Sequence, residues 1–241
     1  MSLFRLAILV ALAGFLSAAA QAAPEPAAVD VALVLAVDVS ESVDADEYEL
    51  QHEGIARAFE TEGLLQAIRG GAHGAIDVLV LEWSDRDKQI VTVDWTRVSD
   101  TATAAAFAAQ VRASKRSSHG LTAIGDALIA AAAALERLPD SADRRIIDVS
   151  GDGMANIGPP PEQVRDRLVA SGVTINGLAI LKSEPWLDSY YSQYVVGGAG
   201  GFLVQVDDFP SFIGAMQQKL ITEISAVPGA SRQAKLRLHR R

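Results

Sequence analysis

Apolar and polar positions form blocks along the chain that predict strands and helices in turn. Residues 31–37 are continuously apolar and rich in β-branched side chains, which is typical of a parallel strand buried on both faces. Residues 76–83 and 89–94 are joined by a short polar link and predict an antiparallel hairpin. The predicted strands cover residues 31–38, 76–83, 89–94, 145–150, 173–181 and 202–206.

Segments with helical composition follow most of these strands. Two of them are rich in alanine, a strong helix former, and Pro139 ends the second. The predicted helices cover residues 44–61, 100–113, 122–138, 162–171 and 208–223. Strands linked by helices favour parallel pairing with right-handed crossovers. We therefore expect an α/β fold with a doubly wound, mostly parallel six-stranded sheet, one antiparallel edge strand and helices on both faces.

The first residues have the three parts of a cleaved secretion signal. Residues 1–5 carry one positive charge, residues 6–15 are apolar, and residues 17–23 are rich in small side chains. We expect cleavage after Ala22, because residues 20–22 fit the small-x-small cleavage pattern. A membrane anchor is the alternative, but the apolar part is shorter than the roughly 20 residues that span a membrane. Residues 29–227 are then expected to form one domain, located in the periplasm or outside the cell.

Charge and cysteine content exclude several functional classes. The 241-residue chain has a formal net charge of −9, and this acidic balance argues against nucleic-acid binding. The chain contains no cysteine, which excludes a disulfide scaffold, a thiolate metal site and cysteine catalysis. Residues 228–241 are basic and are expected to be disordered. They form either an arm for an anionic surface or acidic partner, or a solvated terminus.

Oxygen-bearing side chains occur where predicted strands end. Asp38, Ser40 and Ser42 follow the first strand at every second position, where ligands bind in α/β sheets. Thr122 lies at the start of a predicted helix, and its hydroxyl either caps that helix or turns towards a metal. Asp152 ends a later strand between two glycines, which permit a tight turn. Small oxygen ligands of this kind suit Mg²⁺.

Together these residues resemble the metal-ion-dependent adhesion site (MIDAS) of von Willebrand factor A (vWA) domains. The resemblance consists of the Asp-x-Ser-x-Ser motif at residues 38–42, the later threonine and the later Asp-Gly pair, in that order and on the corresponding predicted elements. It covers the whole predicted domain. Residues 175–178, 190–191 and 196–198 are similar to a secreted bacterial branch of the vWA family that has no assigned function.

The resemblance implies a role for each candidate residue. Ser40, Ser42 and Thr122 would provide hydroxyl ligands, while Asp38 and Asp152 would supply charge and orient ligands and waters. Because neutral hydroxyls leave the charge of Mg²⁺ partly uncompensated, the ion would attract an Asp or Glu carboxylate from a protein partner. Mn²⁺ is an alternative ion. In some vWA relatives ligand binding shifts the terminal helix, which here is predicted at residues 208–223.

Two other functions stay open at this point. A metal-assisted hydrolase would use Ser40 or a bound water and would need a nearby base. The chain has four histidines, none convincingly placed for that role, and no Gly-x-Ser-x-Gly motif. An envelope structural protein would use the metal only to stabilise the fold. We expect a binding module and not an enzyme.

Several other residues have two interpretations each. His119 is either a rim residue or general base at the site, or an ordinary loop histidine. Asn156 either lines the site or belongs to a turn, and the aromatic cluster at residues 186–194 either packs in the core or forms an interface. Glu41 is expected to be solvated. Asp148 lies inside a predicted central strand and is expected to have a buried basic partner.

Overall fold

The computed structural model describes residues 28–182, 184–226 and 235–237, so the predicted signal peptide lies outside the described residues. The strands are β1 (Ala28–Asp38), β2 (Ile76–Trp83), β3 (Gln89–Val98), β4 (Ser141–Gly151), β5 (Val173–Ile180), β6 (Leu203–Val206) and β7 (Lys235–Arg237). The helices are α1 (Ala45–Phe59), α2 (Glu62–Arg69), α3 (Thr101–Ala113), α4 (Ile124–Leu135), α5 (Pro161–Ala170), α6 (Leu187–Tyr190) and α7 (Phe212–Ser225). Among these residues no helix is long and apolar enough to cross a membrane.

The strands form one sheet in the order β3-β2-β1-β4-β5-β6-β7. All neighbours are parallel except β2 and β3, which form the predicted antiparallel hairpin at one edge. The predicted fold class, an α/β fold with a mostly parallel sheet and one antiparallel edge strand, is confirmed, and the six predicted strands are joined by a seventh, β7. Of the predicted basic tail the structure describes only β7, which adds a short strand parallel to β6 and was not predicted.

Strand β1 lies at the centre of the sheet and divides the core into two halves. Its odd-numbered side chains from Val31 to Val37 pack with α1, α2, α3 and α7 on one face. Its even-numbered side chains from Ala32 to Ala36 pack with α4 and α5 on the other face. This division follows from the alternation of side chains along a strand. Burial on both faces explains why the apolar run in β1 is continuous.

Some element boundaries differ from the prediction because contacts with distant residues set them. Helix α2 was not predicted, since a single helix was expected to end at Thr61 and Gly63 weakens the helical pattern that follows it. Strand β3 extends to Val98 and β4 begins at Ser141, because both pair along a neighbouring strand. Helix α4 begins at Ile124, so Thr122 lies in the loop before it.

A buried ion cluster attaches α7 to the sheet and supplies the expected partner of Asp148. Lys219 Nζ lies 2.6 Å from Asp148 Oδ1 on β4 and also pairs with Glu223 one turn further along α7. The Glu223 carboxylate accepts a hydrogen bond from Asn176 Nδ2 on β5 at 2.7 Å. Burial raises the pKa of Asp148, and the positive charge of Lys219 opposes that shift. The position of α7 is therefore fixed against two strands.

We predict that Lys219→Ala lowers the free energy of unfolding by about 3–5 kcal/mol, because it leaves buried carboxylates without their cation. Urea unfolding followed by circular dichroism measures the change. The control is Arg57→Ala, which removes an exposed ion pair with Glu53 and should cost at most about 1 kcal/mol. Equal effects of the two substitutions would contradict the structural role of the cluster.

Candidate metal centre

The loop after β1 folds so that its polar side chains share one side. The backbone N–H of Ser40 donates to Asp38 Oδ1 at 2.8 Å, and the N–H of Val43 donates to the Ser40 carbonyl at 3.1 Å. Ser40 Oγ and Ser42 Oγ consequently lie 3.2 Å apart. Asp44 ends the loop by capping α1. The geometry of the Asp-x-Ser-x-Ser motif is thus set by hydrogen bonds within the loop itself.

Strand β4 brings a second carboxylate to the same place. Strands β1 and β4 are parallel neighbours with Val37 opposite Ser150, so both end at the same edge of the sheet. Ser42 Oγ donates to Asp152 Oδ1 at 2.6 Å. The hydroxyls of the β1–α1 loop therefore lie between the carboxylates of Asp38 and Asp152.

Thr122 approaches this group from the loop between α3 and α4. Its N–H donates to Asn156 Oδ1 at 2.9 Å, and its carbonyl accepts from the Asn156 N–H at 3.0 Å. Thr122 Oγ1 lies 3.7 Å from the point that a Cβ on Gly153 would occupy, next to Asp152. The N-cap residue of α4 is Ala123, and no side chain caps that helix. The structure thus brings the five predicted residues to one edge, and Asn156 positions Thr122.

Two residues behind the site attach its loops to each other and to the sheet. Arg116 Nη2 donates to the carbonyls of Val39 and Ser40, at 2.8 Å each. Glu82, fully buried on β2, accepts a hydrogen bond from the Ser117 N–H at 2.7 Å. These bonds join the β1–α1 loop, the α3–α4 loop and the sheet. No local sequence pattern indicates Arg116 or Glu82, because their partners are far away in the chain.

Helix α1 completes the surroundings of Glu82. The Tyr48 hydroxyl donates to Glu82 Oε1 at 2.8 Å, and His52 Nε2 lies 3.0 Å from the same oxygen. Burial alone would raise the pKa of Glu82, but the hydrogen bonds from His52 and Ser117 hold it below its usual value. His52 Nδ1 also lies 3.0 Å from the Tyr48 carbonyl. Both ring nitrogens of His52 are therefore occupied within this network.

Both carboxylates of the site are buried. Burial, and next the negative charge of Asp152, raise the pKa of Asp38 to about 7. Burial also raises the pKa of Asp152, although the hydrogen bond from Ser42 opposes this. Asp38 Oδ2 is buried and has no hydrogen-bond partner among the described residues. Lys182, whose charge favours ionised Asp152, is paired with Glu47. Two buried carboxylates in this arrangement favour a bound cation.

The oxygen atoms of the site are of the type that binds a hard divalent cation. The three hydroxyls and two carboxylates offer only oxygen, which is the ligand type that Mg²⁺ and Mn²⁺ prefer. Ser40 and Thr122 are buried, whereas Ser42 is exposed, so the group is open to solvent on one side. The unpartnered Asp38 Oδ2 is an oxygen whose charge such an ion would compensate. These residues can therefore hold a cation and leave room for an external ligand.

The structure also shows how exposed the remaining candidate residues are. Glu41 and His119 are exposed near the site, and the Glu41 N–H donates to the Gly120 carbonyl at 2.9 Å. In the aromatic cluster Tyr191 is fully buried, whereas Trp186 is 49% exposed. The packing interpretation therefore applies to Tyr191 and not to Trp186.

A second group of possible metal ligands lies at the opposite edge of the sheet. Ligand atoms of Asp30, His73 and Asp143 lie within 4.8 Å of one another. Asp30 is near the start of β1, roughly 25 Å from Asp38 at about 3.3 Å per residue. Its carboxylate accepts hydrogen bonds from the N–H groups of His73 and Ala75, at 3.0 and 3.3 Å. This group therefore holds the loop before β2 and is separate from the candidate metal centre.

Three solved structures share this fold at low sequence identity. A vWA protein from Catenulispora acidiphila has a TM-score of 0.58 and 15% identity, over 81% of this chain and 43% of that chain. Proximal thread matrix protein 1 from the mussel byssus, with a zinc-occupied MIDAS motif, has a TM-score of 0.58 and 20% identity, over 83% of this chain and 47% of that chain. Manganese-loaded TRAP from Plasmodium vivax has a TM-score of 0.51 and 13% identity, over 82% of this chain and 74% of that chain.

The chain spans less than half the length of the first two of these proteins, and at such identities the likeness shows the fold alone. A search of curated protein sequences finds no match to the chain. A family model described as "Protein of unknown function (DUF1194)" matches residues 28–228, which is most of the chain. The chain therefore has a vWA-like α/β fold and belongs to the DUF1194 family.

Proposed function

We propose that the protein is an exported binding module that captures a carboxylate of a protein partner through a metal-dependent adhesion site. The observation that carries the proposal is the buried pair of carboxylates at the open edge of the sheet. Asp38 accepts from the Ser40 N–H, the Ser40 and Ser42 hydroxyls contact each other, and the Ser42 hydroxyl donates to Asp152. Export rests on the signal-like composition of residues 1–22 and implies a periplasmic or extracellular location.

The choice of ligand follows from the charge that the site leaves on the ion. Direct ligation by the hydroxyls of Ser40, Ser42 and Thr122 adds no negative charge to the ion. Asp38 and Asp152 keep it in place and orient its waters. The ion then retains positive charge on its open side and attracts an anionic oxygen. A site built only from carboxylates would lose that attraction, because the ion would already be neutralised.

Magnesium is the ion that we propose, with manganese as a substitute. Mg²⁺ takes six oxygen ligands and keeps several waters, so an incoming carboxylate only has to replace a water. Mn²⁺ accepts the same oxygen ligands. The relatives with a zinc-occupied MIDAS motif and with manganese carry divalent ions, which supports a divalent cation in this chain without choosing among them.

Residues around the opening can provide specificity for a partner. Leu121 precedes Thr122 directly and is 46% exposed, so it places apolar surface at the rim of the opening. Lys182 contributes positive charge near Asp152. A partner segment that combines an acidic residue with apolar neighbours would match this rim.

A binding role explains these residues better than catalysis does. A hydrolase needs a base close to Ser40 or to a metal-bound water. His52 is held by Glu82 and the Tyr48 carbonyl, and His119 lies exposed in a loop. A purely structural metal would not require an opening to solvent beside Ser42. Affinity purification with Mg²⁺ and with EDTA distinguishes partner capture from a purely structural metal.

We predict that Mg²⁺ stabilises the EDTA-treated protein and that Asp38→Ala abolishes the effect. At a free concentration 100 times the dissociation constant, a ligand that binds only the folded state stabilises it by about 2.7 kcal/mol. For a domain of this size the melting temperature rises by roughly 5–11 °C, at about 2–4 °C per kcal/mol. Differential scanning calorimetry with EDTA and with MgCl₂ measures this shift.

The matched control is Asp94→Ala. Asp94 is exposed on β3, and its Oδ1 accepts a hydrogen bond from the next N–H in the chain, so the variant loses a carboxylate and a local bond outside the site. It should show the full stabilisation by Mg²⁺. A wild-type protein whose melting temperature is the same with EDTA and with Mg²⁺ would overturn the proposed metal centre.

We predict that Leu121→Ala weakens partner capture while leaving the thermal response to Mg²⁺ unchanged. The substitution removes exposed apolar surface from the rim and none of the proposed ligands. Affinity purification from an envelope extract, with Mg²⁺ and with EDTA, identifies proteins whose retention depends on the metal. Capture that is the same with EDTA, or the same in Asp38→Ala, would contradict a metal-dependent mode of binding and leave only a stabilising role for the ion.

A further inference from the structure

Tyr191 lies beside the candidate metal centre and has an unpaired hydroxyl. It begins the π-helical turn Tyr191–Val195, which continues α6 after strand β5. The side chain is fully buried, and its hydroxyl has no hydrogen-bond partner among the described residues. Phenylalanine would fill the same space without burying a polar atom. A buried hydroxyl at this position therefore indicates a hydrogen-bond partner. Single π-helical turns inside helices are frequent at functional sites.

The unpaired hydroxyl of Tyr191 lies near the unpaired oxygen of Asp38. A Cβ added to Gly151 would lie 2.6 Å from the Tyr191 hydroxyl oxygen and 2.8 Å from Asp38 Oδ2. The two oxygens therefore border the same small space above Gly151, and they cannot be further apart than the sum of these distances. Gly151 is required there, because any larger residue would collide with both side chains.

The electrostatic surroundings agree with this placement. Burial raises the pKa of Tyr191 well above its ordinary value, and the charges of Asp38 and Asp152 raise it further. The tyrosine therefore stays protonated and keeps a hydrogen that it can donate. Asp38 Oδ1 already accepts from the Ser40 N–H at 2.8 Å, so Oδ2 is the oxygen that lacks a donor.

We propose that Tyr191 is a positioning residue of the metal centre, whose hydroxyl donates to Asp38 Oδ2, directly or through one water, when the cation is bound. This inference rests on the proposed function. With both carboxylate oxygens engaged, Asp38 is fixed in the orientation that the site needs. Partners that orient a metal-binding carboxylate from behind commonly change metal affinity by 10–100-fold when they are removed.

The test is Tyr191→Phe, with opposite expectations for the metal-free and the metal-bound protein. Without metal the substitution removes an unpaired buried hydroxyl, so the melting temperature in EDTA should be unchanged or higher. With metal the protein loses a donor to Asp38, so the dissociation constants for Mg²⁺ and Mn²⁺ should rise by about 10–100-fold. Isothermal titration calorimetry of the EDTA-treated protein measures these constants.

The control is Tyr194→Phe, which alters a tyrosine in the same turn that is only partly buried and packs on the ring of Tyr190 at 5.0 Å between centroids. Its metal affinity should match that of the wild type. An ultraviolet difference spectrum of tyrosine on addition of Mg²⁺ should be present in the wild type and in Tyr194→Phe, and strongly reduced in Tyr191→Phe.

The outcomes separate this inference from the proposed function. If the wild-type protein binds neither Mg²⁺ nor Mn²⁺, the proposed metal centre itself is overturned. If the wild type binds and Tyr191→Phe binds equally well, only the role of Tyr191 is overturned. A fall in melting temperature of Tyr191→Phe in EDTA, with unchanged metal affinity, would mark Tyr191 as a packing residue and also overturn the inference.

Discussion

The structure depends most on the uncompensated negative charge of two carboxylates buried at one edge of the sheet. Burial raises the pKa of both Asp38 and Asp152, the charge of Asp152 raises that of Asp38 further, and one oxygen of Asp38 has no hydrogen-bond partner among the described residues. Neighbouring hydroxyls cannot neutralise that charge, because they are themselves neutral. In the proposed function a divalent cation would compensate this charge, and the hydroxyls would leave part of the ion's charge available for an outside ligand. Metal binding and partner binding, as proposed, would then have the same electrostatic cause.

The surrounding fold keeps the carboxylates of Asp38 and Asp152 buried and close together. Parallel pairing of β1 and β4 brings the two carboxylates to one edge, and apolar helices on both faces keep them buried. Arg116 and Glu82 attach the two loops that carry the hydroxyls, so the oxygen atoms do not depend on flexible segments for their position. On the face of the sheet that α7 covers, the ion cluster around Lys219 holds α7 against β4 and β5. The buried carboxylates of Asp148 and Glu223 thus share the cation Lys219, whereas no side-chain cation forms an ion pair with Asp38 or Asp152 among the described residues.

Much of the fold and of the candidate site could be predicted from residues that are close together in sequence. The continuous apolar run in β1 indicated a central strand, and the spacing of Asp38, Ser40 and Ser42 indicated oxygen atoms on one side of a loop. The meeting of Thr122 with Asp152 was predicted only through the family resemblance, and the order of the strands in the sheet was not predicted. Helix α2 escaped prediction because its local pattern is weakened by a glycine. Contacts made across the fold, such as those of Arg116, Lys219 and Tyr191, have no local signal, since their partners lie on other elements.

The most direct test of a cation at this edge of the sheet is an anomalous-scattering map from crystals of the protein soaked in Mn²⁺. We expect one strong peak bounded by Ser40, Ser42 and Thr122, with Asp38 and Asp152 beside it. A map with no peak there, or with its peak at Asp30, His73 and Asp143 on the opposite edge, would contradict it.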